Sequence, residues 1–276
     1  ETENLTVIYN PSNTTDNKNV TWTSSNNNVA SINNGVVTAK GIGNAVITAK
    51  VGSLTASYKI TVIKHDNPVI VKANTLTYNG KEQELITASN IKGNICYSYN
   101  PISSCSTNES IPKKINAGEY TVYYYVSGDN NYNSKSGSIK VNINKKSGSI
   151  SYLNKSITKI QGDQAFTNVL TKTGDGIINY SSSDNKVATI DKNGKVTILS
   201  SGNTVIKAIV IDGENYFYNI KEASYTLTVN KKIINIPIIS ISLNKTSGTK
   251  YIGETENLTV IYNPSNTTDN KSITWT

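Results

Sequence analysis

Two cysteines, one histidine and a scatter of acids are the residues of this chain with obvious chemical potential. Cys96 and Cys105 are the only cysteines of the 276 residues. Close together in one hairpin-sized segment, they suit a structural disulfide in a secreted chain; a thiol pair for metal or redox work is the alternative. The loop they would close is short, so a bond there contributes about 2–3 kcal/mol. His65 is the single histidine, which makes zinc coordination a poor fit, and no motif around it marks a catalytic base. Paired carboxylates for glycoside cleavage need two acids in one cleft. Asp163, Asp175, Asp191 and Asp212 fall instead in separate turns, where Asp is a good turn former. Residues 128–131 and 212–215 offer oxygen ligands without the spacing of a calcium loop. No Gly-rich phosphate loop or nucleophile elbow occurs. These residues predict no enzyme, no metal site and no cofactor.

Tyrosine is the dominant aromatic, with 17 Tyr against 2 Trp and 2 Phe. In 120–126, Tyr120, Val122, Tyr124 and Val126 share one face of a strand, and Thr121, Tyr123 and Tyr125 the other. Tyr123 and Tyr125 are therefore candidate contacts for a surface glycan or a host protein, the alternative being cross-strand pairing on a solvated sheet. All 27 basic residues are Lys, scattered along the chain. Nucleic-acid readers rely on the planar Arg fork, so no nucleic-acid partner is expected. The net charge of +8 fits a solvated surface, with weak attraction to anionic wall polymers or host glycans as a secondary reading. Asn fills roughly one position in seven, well above usual composition. With Lys standing for Arg, that points to an AT-rich bacterial genome. No run approaches the ~20 apolar residues that cross a bilayer, so no membrane insertion is expected within this segment.

The elements that would position these residues are set by repetition. The chain opens with ETENLTVIYNPSNTTDNKNVTWT over 1–23 and carries ETENLTVIYNPSNTTDNKSITWT over 254–276. The copies differ only at Asn19 versus Ser272 and Val20 versus Ile273, at an offset of 254 − 1 = 253 residues. So close a match at a long period indicates duplication of a multidomain unit, and both ends read as cuts in a longer protein. A second, weaker repeat relates VTWTSSNNNVASINNGVVTAKGIGNAVITAKV over 20–51 to INYSSSDNKVATIDKNGKVTILSSGNTVIKAIV over 178–210. Its skeleton places Trp22, Val29 and Ile32 against Tyr180, Val187 and Ile190 as matching core positions. Gly35 and Gly194 then turn matching hairpins.

That skeleton resembles the bacterial Ig-like domain of group 2 (Big2), whose pattern is carried here by Trp22, Ser24, Ser25, Val29, Ala30, Ile32, Gly35, Val37, Thr38, Gly43, Ala45 and Ile47. The second copy departs from it at Tyr180 and in a longer hairpin around Asp212. Between the copies, LTYNGKEQEL at 76–85, INAGEYTVYYYVSGDNNYN at 115–133 and SIKVNINKK at 138–146 resemble the MBG or YDG modules of bacterial adhesins. The resemblances imply an all-β chain of tandem immunoglobulin-like sandwiches in an elongated rod.

Alternation of period two supports short strands nearly throughout. The domains expected are a Big2-like sandwich lacking its first strand (1–63), an MBG-like module (64–146), a second Big2-like sandwich (147–232) and the first strands of a further repeat (233–276). The joints are short and not Gly/Ser-rich, which predicts semi-rigid links. Residues 238–253, with Ile239, Ile241 and Leu243 facing in, would supply the strand that the N-terminal sandwich lacks, so head-to-tail strand donation by Ile238–Gly253 is expected. The partners foreseen are neighbouring domains of the same array. The function expected is a non-catalytic stalk at a bacterial cell surface or wall. Its rivals are a glycan- or host-binding module working through the Tyr-rich segment, and an accessory module of a surface carbohydrate-acting enzyme.

Overall fold

A chain with 36% hydrophobic residues cannot fill one large core, and short strands with one apolar face let it build several small ones. The computed structural model describes residues 1–276. Its regular structure is entirely strand, in two compact units, Glu1–Lys146 and Ser147–Thr276.

The first unit begins with a sandwich of two three-stranded sheets. One places Val36–Ala39 between Thr2–Asn4 and Ala30–Asn33; the other places Gly43–Val51 between Thr21–Ser24 and Leu54–Val62. Val29, Ala30, Val37, Ala45 and Ile47 are buried between them, with Trp22, Ile32, Tyr58 and Ile60 packed against this core. Gly35 turns the short hairpin at φ +81°, and a Cβ there would lie 2.6 Å from the Leu5 carbonyl oxygen, so the turn admits no side chain. The same unit continues into a module with its own core, built on Leu85, Ile86, Val122, Val141 and Ile143 and on Val69, Ile95 and Val126. Its main sheet runs Ile95–Ser98, Gly118–Val126, Lys135–Asn144, Leu76–Thr77, the last contact being parallel.

The second unit holds a fuller version of the first sandwich. Ser156–Ile160, Glu222–Asn230, Gly202–Ile211 and Ile177–Ser182 form a four-stranded sheet in that order. Its core contains Val187, Val196, Ile206, Ala208, Tyr225 and Leu227, with Tyr180 and Ile190 packed against it. Trp22 beside Ala49 and Tyr180 beside Ala208 hold the same place in the two sandwiches. Val29 and Val187 likewise lie beneath Gly43 and Gly202. One strand distinguishes the two. Ser156–Ile160 runs parallel along Glu222–Asn230, whereas the outer edge of the equivalent strand, Leu54–Val62, carries no neighbour.

The C-terminal residues add a two-stranded pairing of their own. Ser240–Leu243 pairs with Val260–Asn263, as Ser149–Tyr152 pairs with Leu170–Thr173. The expectation that Ile239, Ile241 and Leu243 face inward is corrected: they are 77%, 63% and 39% exposed, because two strands enclose no core. The near-identical 1–23 and 254–276 segments agree only in their local loop. The Tyr9 hydroxyl donates to the Lys18 carbonyl at 3.1 Å and the Tyr262 hydroxyl to the Lys271 carbonyl at 3.0 Å. Trp22 packs on a core, whereas its counterpart Trp275 is 57% exposed.

Tyr58 and Tyr225 are also equivalent, facing Ile47 and Ile206 across their hairpins. Tyr58 donates its hydroxyl to Glu3 Oε2 at 2.7 Å. Glu3 stands opposite Val37 and Phe166 opposite the matching Val196, so the second sandwich has a phenyl ring where the first has the acceptor. The Tyr225 hydroxyl is consequently buried without a partner, as is that of Tyr152, whose ring meets Tyr225 edge-on at 4.8 Å. Burial pushes Tyr225 up to about 12 and Tyr152 upward as well, the latter reinforced by the neighbouring Tyr225 and Tyr180. Both phenols therefore keep their protons in the folded state at pH values where the unfolded chain, titrating near pH 10, has released them. Stability of the second unit falls as pH rises above about 10 and is indifferent to these groups below it; pH-dependent urea unfolding checks this. Tyr225→Phe removes an unpaired hydroxyl and is neutral or stabilising at pH 7, and it flattens the alkaline fall. Gly202→Ala, by contrast, puts a Cβ at φ +148° and 2.7 Å from Val187 Cγ2 and costs about 1–3 kcal/mol in the same measurement.

Candidate functional site

The middle module's main sheet shows two unlike faces. Tyr120, Val122, Tyr124 and Val126 meet the core. On the other face Tyr125 lies between Cys96 and Ser136, and Tyr123 between Ser98 and Ser138. Both rings are half-buried and rise beside small neighbours, which leaves their flanks accessible. Lys140 Nζ meets Glu119 Oε1 at 2.9 Å further along the same face. That pair is exposed, and its contribution to stability is small.

The strand bearing Cys96 is an edge strand, and backbone groups on such an edge must find partners. The loop that follows supplies them with side chains. Asn108 Oδ1 accepts from the Ile95 amide at 2.8 Å, and Glu109 Oε2 from the Tyr97 amide at 2.9 Å. The Glu109 amide donates back to the Ile95 carbonyl at 2.9 Å. Cys96 and Cys105 are bonded, with Cα atoms 5.5 Å apart, which ties this loop down beside Tyr125. A Lys–Tyr group borders it: Lys114 Nζ lies 4.3 Å from the Tyr99 ring centre and 5.6 Å from that of Tyr120. Burial raises the phenol of Tyr99, with Tyr120 adding to the shift, so it remains a neutral ring. Nothing in the sequence pattern singles out Asn108 or Glu109; they lie outside the alternating strands, and only the fold brings them to the edge.

His65 is no free tether. Its amide donates to the Asn131 carbonyl and its carbonyl accepts from the Asn133 amide, both at 2.9 Å, and its ring sits 5.6 Å from Tyr132. Beside it an open cleft of about 1200 Å³ is lined by Glu1, Glu3, Tyr58, His65, Asp66 and Tyr132, among others. Acids and lysines mix there, and the closest charge contact of His65 is Glu1 at 3.8 Å, both exposed. Neither cysteine lines this cleft, and His65 has no nucleophile in hydrogen-bond contact. No three His, Cys, Asp or Glu side chains converge on a point that could hold a metal ion. Asp163, Asp175, Asp191 and Asp212 accept hydrogen bonds from amides of their own or neighbouring turns.

Tandem immunoglobulin-like sandwiches with one sheet face of partly exposed tyrosines are thus the geometry to compare with known proteins. Residues 1–62 match the family described as bacterial Ig-like domain (group 2), and residues 166–211 match that described as intimin, immunoglobulin-like domain. The chain is similar to intimin of Escherichia coli O157:H7, 35% identical over 79 residues, which is 29% of this chain and 8% of intimin. It is also similar to an uncharacterised protein of Clostridium acetobutylicum, 33% identical over 128 residues, 45% of this chain and 12% of that protein. The chain therefore spans only a small part of the length of these relatives. Among solved structures it is similar to the extracellular cadherin domains 1–4 of protocadherin gamma B7, with TM-score 0.37 and 11% identity over 88% of this chain and 75% of that one. Domains 1–6 of the surface layer protein SbsC align with TM-score 0.31 and 14% identity over 82% and 36%. No helix is long and apolar enough to cross a membrane.

The short loop closed by Cys96 and Cys105 stabilises the first unit alone. Cys96→Ser with Cys105→Ser should lower its unfolding free energy by about 2–3 kcal/mol and leave the second unit's transition in place, as two-transition denaturant melts would read out.

Proposed function

We propose that this chain is a spacer segment of a repetitive bacterial surface protein, holding a binding region away from the cell. The observation that carries this reading is the succession of separately cored β modules bracketed by near-identical copies of one sequence. A series of small domains sets distance by number of copies, and short joints keep that distance from collapsing. The matches to bacterial Ig-like and intimin Ig-like domains support an extracellular setting. Both matching families are described as immunoglobulin-like domains, which supports a non-catalytic role. The middle module, on its T-Y-N-G-K, A-G-x-Y-T-V and G-D-x-N-Y stretches, is read as MBG/YDG-like.

A second reading rests on a separate observation, the half-buried Tyr123 and Tyr125 above serines. On that reading the module binds glycan or host protein in its own right. Small-angle scattering and a glycan array on the whole chain divide the two. A spacer gives a radius of gyration well above the ~19 Å of a compact chain of this length, with no array signal. A radius near ~19 Å sinks the spacer. Saturable glycan binding lost in Tyr123→Ala with Tyr125→Ala establishes the rival.

A further inference from the structure

The outermost strand of the second sandwich, Ile177–Ser182, carries an uncovered row of backbone groups in an uncharged sequence. It ends the four-stranded sheet, paired on one side only, from Ile177 opposite Ile211 to Ser182 opposite Ile206. Ser183 continues that register, its amide donating to the Val205 carbonyl at 2.9 Å. Residues of an antiparallel pair alternate between bonding to the neighbouring strand and pointing away from it, so 177, 179 and 181 bond inward. The amides and carbonyls of Ile178, Tyr180 and Ser182 point outward, where no strand or loop meets them. The strand contains no Lys, Asp, Glu or Pro, and charges and proline are the usual means of keeping an edge from pairing. The matching edge of the first sandwich, Thr21–Ser24, is shorter and offers only Trp22 and Ser24 outward.

The solvent face beside this edge supplies an independent indication. Ile177, Ile209 and Ile211 are 69%, 41% and 53% exposed on it. Tyr180 beside Ala208 matches Trp22 beside Ala49, so the same places in the first sandwich hold Asn19, Lys50 and Gly52. The fold does not need isoleucine there, and adjoining apolar side chains on a solvated face mark a contact surface.

We infer that Ile177–Ser182 is a self-association edge, through which two copies of the chain pair antiparallel about a two-fold axis at Tyr180. Tyr180 then stands opposite Tyr180 of the second copy and Ile178 opposite its Ser182, which joins all three outward positions in one ladder. Moving the axis to Asn179 would set Ser182 against Gly176. The Gly176 amide already donates to the Tyr218 hydroxyl at 3.1 Å, and its carbonyl accepts from Lys172 Nζ at 2.6 Å. With the axis at Tyr180, Asn179 meets Ser181 of the second copy on the solvent face as a neutral polar pair. Ile177 comes to lie beside Ser183 of the second copy and gains cover on its open side. The two sheets become one, with the copies running in opposite directions along it. The inference goes beyond the spacer reading, and its failure leaves that reading untouched.

Disulfide trapping tests it, because the native chain has no free thiol. Opposed residues of a non-hydrogen-bonded pair have Cα atoms about 4.5 Å apart, within the range of a disulfide. Asn179 and Ser181 are both exposed, so replacing them leaves the core intact. Mixing an Asn179→Cys chain with a differently tagged Ser181→Cys chain under mild oxidation should give a reducible heterodimer as the main product. Its yield should exceed severalfold that of Asn179→Cys with Thr226→Cys, whose thiol lies on the same face two strands from the edge. In the chain without added cysteines, Asn179→Lys with Ser181→Lys sets like charges opposite each other and should abolish the dimer in sedimentation velocity, whereas Thr226→Lys should leave it. A heterodimer yield no higher than that of the Thr226→Cys control overturns the inference. So does an Asn179→Cys homodimer as the main product, which would place the axis at Asn179.

Discussion

Every module of this chain is organised around one long antiparallel hairpin, and the rest of each module packs against it. Gly43–Val51 with Leu54–Val62, Gly118–Val126 with Lys135–Asn144, and Gly202–Ile211 with Glu222–Asn230 are the longest pairings of their modules. Each contributes alternate side chains to a core while its backbone groups are satisfied along its length. With so few apolar residues, the chain gains stability by making each one count on a single face. That is why valine, isoleucine and alanine recur every second position, and why Ile47, Val122 and Leu227 are almost fully buried.

Long hairpins leave edges, and the chain treats its edges in three different ways. Glu222–Asn230 is covered by a true strand. Ile95–Ser98 is closed by the side chains of Asn108 and Glu109, in a loop tied down by Cys96 and Cys105. Leu54–Val62 is left open. The three edges differ in chemistry more than in shape: a backbone donor can be satisfied by another backbone, by a carboxylate or by solvent, with very different consequences for association.

Much of this was legible in the residues. Alternation marked the strands, Gly35 and Gly194 marked matching turns, and the Trp22–Val29–Ile32 and Tyr180–Val187–Ile190 sets reach corresponding positions in two separate cores. The 253-residue offset marked two near-identical segments, 1–23 and 254–276, which share the Tyr9–Lys18 and Tyr262–Lys271 loop contacts. What stayed hidden depends on partners distant in sequence. Ile239 and Ile241 carry the pattern of inward residues yet lie exposed, since burial needs an opposing sheet that a pattern does not provide. The unpaired hydroxyl of Tyr225 follows from Phe166 standing where Glu3 stands in the other sandwich, a relation set by register between strands some sixty residues apart in each case. The edge role of Glu109 is hidden for the same reason, because its loop has no periodicity to read.

The parallel pairing of Ser156–Ile160 with Glu222–Asn230 also has a mechanical meaning. These strands lie near opposite ends of the same sandwich in sequence. Tension applied through the chain termini pulls them past one another along their length, loading their shared hydrogen bonds together. A hairpin pulled open from its two ends would instead lose its bonds one at a time. The second sandwich thus has the geometry of a shear clamp.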